Sequence, residues 1–221
     1  MATNRKFTRR ALMRTGLLAG LAGGVLAART RRVLAALPPT PVQTKGPFYP
    51  PELPLDRDAD LVRVDGRGEP AKGRVAHVFG RLLGPDGTAL KGARIEIWQC
   101  DGLGRYHHPA DGGGLDPNFQ GFGFTETDAE GRWRFRTIEP VPYPGRTPHI
   151  HVQVLAPGWE PLISQFYIAG HPLNARDFVR RRLSEAEAAR VTSPFDPAPD
   201  IEAGAVAASF DIVMGATPRQ G

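Results

Sequence analysis

The run from Asp128 to Ile138 constrains the fold most. Behind Asp128-Ala129-Glu130-Gly131, the residues Trp133, Phe135 and Thr137 alternate with Arg132, Arg134 and Arg136. A period of two puts one set in a core and the other in water, as in a half-buried strand, and a polar tetrapeptide ending in glycine marks a turn. With Phe122 to Thr127 as the opposing arm, a β-hairpin is predicted. Similar short β-like runs recur at Arg74 to Leu83, Ala93 to Cys100, His149 to Leu155 and Leu162 to Ile168, with a last strand within Ala205 to Met214. Helical signal is confined to residues 174–191, where Ser184 and Glu187 form a capping box. Many short strands with one short helical insert predict an all-β, antiparallel β-sandwich over residues 71–215.

Two other segments precede it. Residues 37–70 open with closely spaced prolines, from Pro38 to Pro54, which exclude both a helix and a central strand, so an extended surface path is expected. Within it, Gly46-Pro47-Phe48-Tyr49-Pro50 is aromatic enough to pack at the mouth of a pocket. Residues 1–36 carry Thr8-Arg9-Arg10-Ala11-Leu12-Met13, a twin-arginine pattern, followed by a Gly- and Ala-rich apolar stretch too short for a membrane helix. This reads as an export leader cleaved near Ala28 or Ala35-Ala36, giving a periplasmic or extracellular protein without a stable membrane span.

The charge balance belongs to the leader. Residues 1–36 hold 8 of the 28 Lys and Arg and none of the 23 Asp and Glu, which leaves 20 against 23, a net of −3. Nucleic-acid binding thereby loses its electrostatic basis. The single cysteine, Cys100, forms no intrachain disulfide, and at the end of an apolar strand it is a poor nucleophile.

Chemistry concentrates elsewhere. His149 and His151 lie two apart in a predicted strand, so both imidazoles face one side and can reach one metal ion. Upstream, Tyr143 sits between Pro142 and Pro144 on a stiffened loop, and Arg146 places a permanent charge beside the pair. Tyr106 lies in the long Gly-rich loop from Asp101 to Gly121, where core packing has no use for it. Asp101 is a candidate acceptor holding that loop. His107 and His108 read as loop residues, His171 as part of a turn and His77 as a strand residue. Two phenols and two imidazoles form a hard, anionic donor set that suits ferric iron better than zinc or ferrous iron. Two alternatives remain: a copper or zinc sandwich using the histidines alone, and a non-catalytic binding module in which Tyr106 and Trp98 are contact aromatics.

The motifs Gly46-Pro47-Phe48-Tyr49-Pro50, Glu96-Ile97-Trp98-Gln99-Cys100-Asp101, Gly104-Arg105-Tyr106, Phe119-Gln120-Gly121-Phe122-Gly123, Pro142-Tyr143-Pro144-Gly145-Arg146 and His149-Ile150-His151, in this order, resemble the intradiol ring-cleavage dioxygenases, on the protocatechuate 3,4-dioxygenase side of the family. The resemblance implies an immunoglobulin-like or prealbumin-like β-sandwich holding a non-haem Fe(III). Its ligands would be Tyr106 and His151 near the equatorial plane and Tyr143 and His149 axially, with Tyr143 displaced by substrate. Arg146 would stabilise charge on the substrate ring, and Gln165 would line the oxygen pocket. The implied reaction opens a catechol-type diol with O2 to a cis,cis-muconate-type diacid, without external reductant. The implied assembly is a homo-oligomer or a pair with a homologous partner chain.

Overall fold

The computed structural model describes residues 36–54 and 56–215, so the twin-arginine motif and the cleavage positions near Ala28 and Ala35 lie outside the described residues. In chain order the strands are β1 (Val75–Leu83), β2 (Arg94–Trp98), β3 (Phe122–Glu126), β4 (Arg132–Ile138), β5 (His149–Leu155), β6 (Leu162–Ile168), β7 (Thr192–Ser193), β8 (Asp196–Pro197), β9 (Val206–Ser209) and β10 (Ile212–Val213). Among the described residues the one α-helix, α1 (Glu185–Arg190), precedes β7, and Ser184 with Glu187 forms its capping box. Among the described residues no helix is long and apolar enough to cross a membrane.

The strands build two facing sheets. In one, β1 is central, with β4 on one edge and β9 and β10 sharing the other; in the second the order is β3-β2-β5-β6-β7. Between them lie Val78, Leu82, Trp133 and Phe135 from the first sheet and Ile95, Ile97, Val152, Val154 and Phe166 from the second. Each such side chain contributes about 1.5–3 kcal/mol by leaving water.

Four expectations need correction. The arms around Asp128–Gly131 do not pair as a hairpin, because β3 bonds to β2 and β4 bonds to β1, in opposite sheets. Thr127 is bonded to Ala93 and Gly131 to Leu82, so the turn is an arch between sheets. The alternation nonetheless holds on β4, where Trp133, Phe135 and Thr137 are buried while Arg132 and Arg134 are exposed. The sandwich is also mixed, not purely antiparallel, since β9 and β10 run parallel to β1 and β7 runs parallel to β6. The expected last strand is broken at Phe210, whose carbonyl crosses so close to Gly80 that a Cβ there would overlap it. Finally, the insert is mostly single turns, at Pro172–Ala175 and Arg180–Arg182, because the Asp177 carboxylate takes the amides of Val179 and Arg180 before a helix can.

The proline-rich segment runs extended, as its composition requires, but it ties the sheets together. Thr40 N donates to Val213 O on β10 and Gln43 N to Ile163 O on β6. Residues 43–49 then continue over one end of the second sheet, where the chemistry lies.

Candidate metal centre

At that end a second aromatic cluster forms, with Trp98, Cys100, Tyr106 and Phe122 buried and Phe48, Tyr49 and Tyr143 packed against them. Register positions the first donors. His149 and His151 share a face of β5 and are 2% and 1% exposed. Trp98 on β2 pairs with both Phe122 and His151, and its indole stacks on the His151 ring at 4.7 Å with 10° between planes.

The imidazoles are set up as neutral donors. His149 Nδ1 lies 2.7 Å from the Thr147 carbonyl. A carbonyl only accepts, so Nδ1 carries the proton and Nε2 offers its lone pair. That Nε2 is 3.2 Å from His151 Nε2 and 3.4 Å from the Tyr106 hydroxyl. Burial, reinforced by Arg146, pushes His149 down to about 3, and burial with the neighbouring His149 and Arg146 holds His151 well below the usual imidazole value.

Tyr106 is fixed by its loop. The Asp101 carboxylate accepts the amides of Leu103, Arg105 and Asp116, and Asp111 accepts the Tyr106 N–H at 2.8 Å. Phe48 stacks on the Tyr106 ring at 4.5 Å. Tyr143 is half-buried, its ring centroid 5.5 Å from those of Tyr106 and His149. Burial raises both phenols, most strongly Tyr106, while Arg146 opposes the rise at Tyr143. Neither ionises unaided at neutral pH, and both would serve as phenolate ligands only to a cation Lewis-acidic enough to draw their protons off. Among the described residues no trio of His, Cys, Asp or Glu is placed to hold a metal. Two imidazoles and two phenols, hard donors without a carboxylate, are the set that converges, and its chemistry fits a ferric ion.

Arg146 is 7% exposed and uses all three guanidinium nitrogens. Nε donates to Asp177 at 2.8 Å, Nη2 to Gln165 Oε1 at 2.6 Å and Nη1 to the Tyr143 hydroxyl at 3.3 Å. Gln165 is buried and donates to Thr44 O at 2.9 Å. Tyr167 completes this corner by donating to Gln43 Oε1 at 2.6 Å. Beside it a cavity of about 380 Å³ is lined by Tyr143, Arg146, Leu173, Arg176 and Asp177 among others. A cavity of about 660 Å³ elsewhere is walled by residues such as Arg81, Arg132 and Trp133 and holds none of these donors, so its size carries no chemical weight.

All six predicted site residues thus come together, and the other flagged histidines do not join them. His108 caps Ala110, His107 packs on Phe119, His77 binds Glu202, and His171 meets Thr147 Oγ1 only at 3.3 Å. Cys100 is buried and its thiol is pushed up to about 12, chiefly by burial, which removes it as a nucleophile. Sequence reasoning missed Asp177, Thr147 and the strap residues Gln43 and Thr44. The ion pair of Asp177 spans a sequence gap that no local pattern reveals.

A family model described as Dioxygenase matches residues 44–216. The chain is 38% identical over 180 residues to the protocatechuate 3,4-dioxygenase beta chain of Burkholderia cepacia, covering 76% of each chain. It is 32% identical to the catechol 1,2-dioxygenase of Candida albicans, over 61% of this chain but only 48% of that relative, so it spans about half of the latter. Among solved structures, the dioxygenase domain of a carbohydrate-binding fusion protein from Streptomyces sp. SirexAA-E superposes with a TM-score of 0.62 at 29% identity, covering 81% of this chain and all of that one. An intradiol ring-cleavage dioxygenase from Tetranychus urticae has the same fold, with a TM-score of 0.66 at 22% identity and coverage of 84% and 98%. By these matches over most of its length, the chain belongs to the intradiol ring-cleavage dioxygenase family.

Proposed function

We propose that the chain is a non-haem Fe(III) intradiol dioxygenase cleaving a catechol-type aromatic diol with O2 to a cis,cis-muconate-type diacid, with Tyr106, Tyr143, His149 and His151 as the metal ligands. The observation that carries this reading is the meeting of the Tyr106 hydroxyl and His151 Nε2 at His149 Nε2, at 3.4 and 3.2 Å, with the Tyr143 ring packed beside them and Arg146 reaching both the Tyr143 hydroxyl and Gln165. A copper or zinc sandwich would leave both phenols without a chemical purpose. When bound, the ferric ion supplies the Lewis acidity that ionises the phenols and the diol.

The chain's own groups do the rest. Tyr143, the less buried phenol, would be the ligand best able to give way, and its oxygen would then accept a proton from an incoming diol hydroxyl. Arg146 stays cationic at working pH, so it stabilises negative charge on the ring without donating a proton. Gln165 is pinned by Arg146 and Thr44 beside the reacting ring, while Phe48 and Trp98 keep water from the donors. The name of the Burkholderia relative, a beta chain, supports an assembly with further copies or a homologous chain. The Arg9-Arg10 motif supports export by the twin-arginine route, which carries folded proteins and so allows metal loading beforehand.

The test is a visible spectrum of the iron-quantified protein before and after anaerobic catechol. A red-brown phenolate-to-iron band should move to longer wavelength with the diol and revert in air as muconate appears. A protein that stays colourless after iron loading refutes the reading.

A further inference from the structure

The turn after β6 showed no chemistry in its sequence, yet one of its side chains reaches both halves of the donor loop. Asp177 is 1% exposed and accepts four hydrogen bonds. Oδ1 takes the amides of Val179 and Arg180 at 3.0 and 2.8 Å, which hold the turn. Oδ2 takes Arg146 Nε at 2.8 Å and the Thr147 amide at 2.9 Å, which hold the loop. From Arg146 the contacts continue to the Tyr143 hydroxyl and to Gln165. From Thr147 they continue through its carbonyl to His149 Nδ1, while its hydroxyl donates to Asn174 Oδ1 at 2.8 Å.

We propose that Asp177 is a positioning residue: by gripping Arg146 and the Thr147 amide together, it sets where the Tyr143 hydroxyl and the His149 ring stand. Both of its carboxylate oxygens are taken up by the loop and the turn, and it is none of the four proposed donors. Capping the turn would need only Oδ1, whereas Oδ2 binds two consecutive residues of the loop that carries the donors, and a buried guanidinium without its carboxylate would be left uncompensated. The Tyr143 and His149 side of the centre therefore depends on Asp177, while Tyr106, held by Asp101 and Asp111, does not. The catalytic consequence rests on the ferric dioxygenase reading; the geometric claim does not.

Asp177→Asn keeps the size but turns one acceptor oxygen into a donor, so one grip faces donor against donor. The experiment compares wild type, Asp177→Asn, Arg146→Gln and the double variant as full chains. It measures catechol cleavage, the position of the phenolate-to-iron band, and the unfolding midpoint of the metal-free protein. Asp177→Asn is expected to lower kcat by roughly 10–100-fold, in the range for residues that orient ligands, and to shift the band. In the Arg146→Gln background its further cost should fall below about 3-fold, because most of its effect passes through Arg146. Equal factors in both backgrounds overturn the proposal, as does a lowered midpoint with unchanged rate and band per folded chain. If iron-loaded wild type neither cleaves catechol nor shows the band, the ferric reading fails on its own. The midpoints then decide, with non-additive shifts supporting the grip and additive shifts overturning it. Should Asp177→Asn not fold, amide exchange in metal-free wild type supplies the answer: a slowly exchanging Arg146 Nε–H supports the grip and a fast one overturns it.

Discussion

The Nε2 atoms of His149 and His151 stand 3.2 Å apart, with the His149 proton committed to the Thr147 carbonyl on the far side of the ring. Both rings are buried, and burial together with Arg146 holds both below the usual imidazole value, which favours their neutral, metal-binding form. His149→Ala and His151→Ala should each reduce bound iron to well below one per chain, a loss of roughly 10-fold or more in affinity. His107→Ala and His108→Ala, which sit outside the set, should keep it. Iron content after gel filtration checks this, and full occupancy in either of the first two variants would count against the centre.

The two phenols differ in burial and so in expected behaviour. Tyr106 is 2% exposed under Phe48, whereas Tyr143 is half-buried and touches Arg146. Tyr143→Phe should retain a visible band from Tyr106 yet lower kcat/KM by about 100-fold or more, the scale for losing a proton acceptor. Tyr106→Phe should instead displace the band and weaken iron binding. Steady-state rates and spectra on the same samples separate the two, and interchangeable phenotypes would contradict the assignment.

Much of this site could be read from the chain because its donors are local: His149, His151, Tyr143 and Arg146 fall within nine residues, and period-two spacing puts both imidazoles on one face. The alternation at Trp133, Phe135 and Thr137 gave the buried face of β4 for the same reason. Pairing partners were not local. Nothing within Phe122 to Ile138 says that β3 prefers β2 and β4 prefers β1; the longer ladders available in separate sheets decide it. Nor does any spacing reveal that Gln43 reaches Tyr167 across 124 positions, or Arg146 Asp177 across 31.

Arg146 and Asp177 neutralise one another at 2.8 Å, so the uncompensated charge lining the cavity beside Tyr143 belongs to Arg176. Its side chain is exposed and makes no ion pair among the described residues. A diol bearing a ring carboxylate should therefore gain from it, while catechol should not. Arg176→Ala is expected to raise KM for protocatechuate about 5–10-fold, equivalent to roughly 1 kcal/mol for an exposed contact. An equal effect on catechol would assign Arg176 to stability instead.

The strap presses closely on the centre at Gly46. Its φ is +70°, and an added Cβ would stand 3.3 Å from His151 Cε1. Gly46→Ala must accept a left-handed backbone costing about 1–2 kcal/mol and also push on a donor ring. Iron affinity should fall along with the unfolding midpoint, whereas Gly158→Ala, also at positive φ but with open space around it, should lower the midpoint alone. Equal iron affinity in the two variants would separate the strap from the centre.

On the sheet remote from the donors, Glu202 receives both Nε and Nη2 of Arg136 at 2.8 and 2.7 Å and also meets His77 at 3.0 Å. The hydrogen bonds from Arg136 hold its carboxyl down at about 2, against an ordinary 4.5. A depressed folded-state value means that the unfolded chain takes up the proton first. The stabilisation is therefore complete above about pH 4.5 and is lost as pH falls toward about 2. With 31% of the side chain exposed, solvent screening reduces it to about 1 kcal/mol. Glu202→Gln should accordingly lower stability by about that amount at pH 7, with the gap to wild type closing as both are acidified below pH 4. Denaturant midpoints across that range test it, and a gap that persists undiminished near pH 2 would show that Glu202 acts through packing and not through its charge.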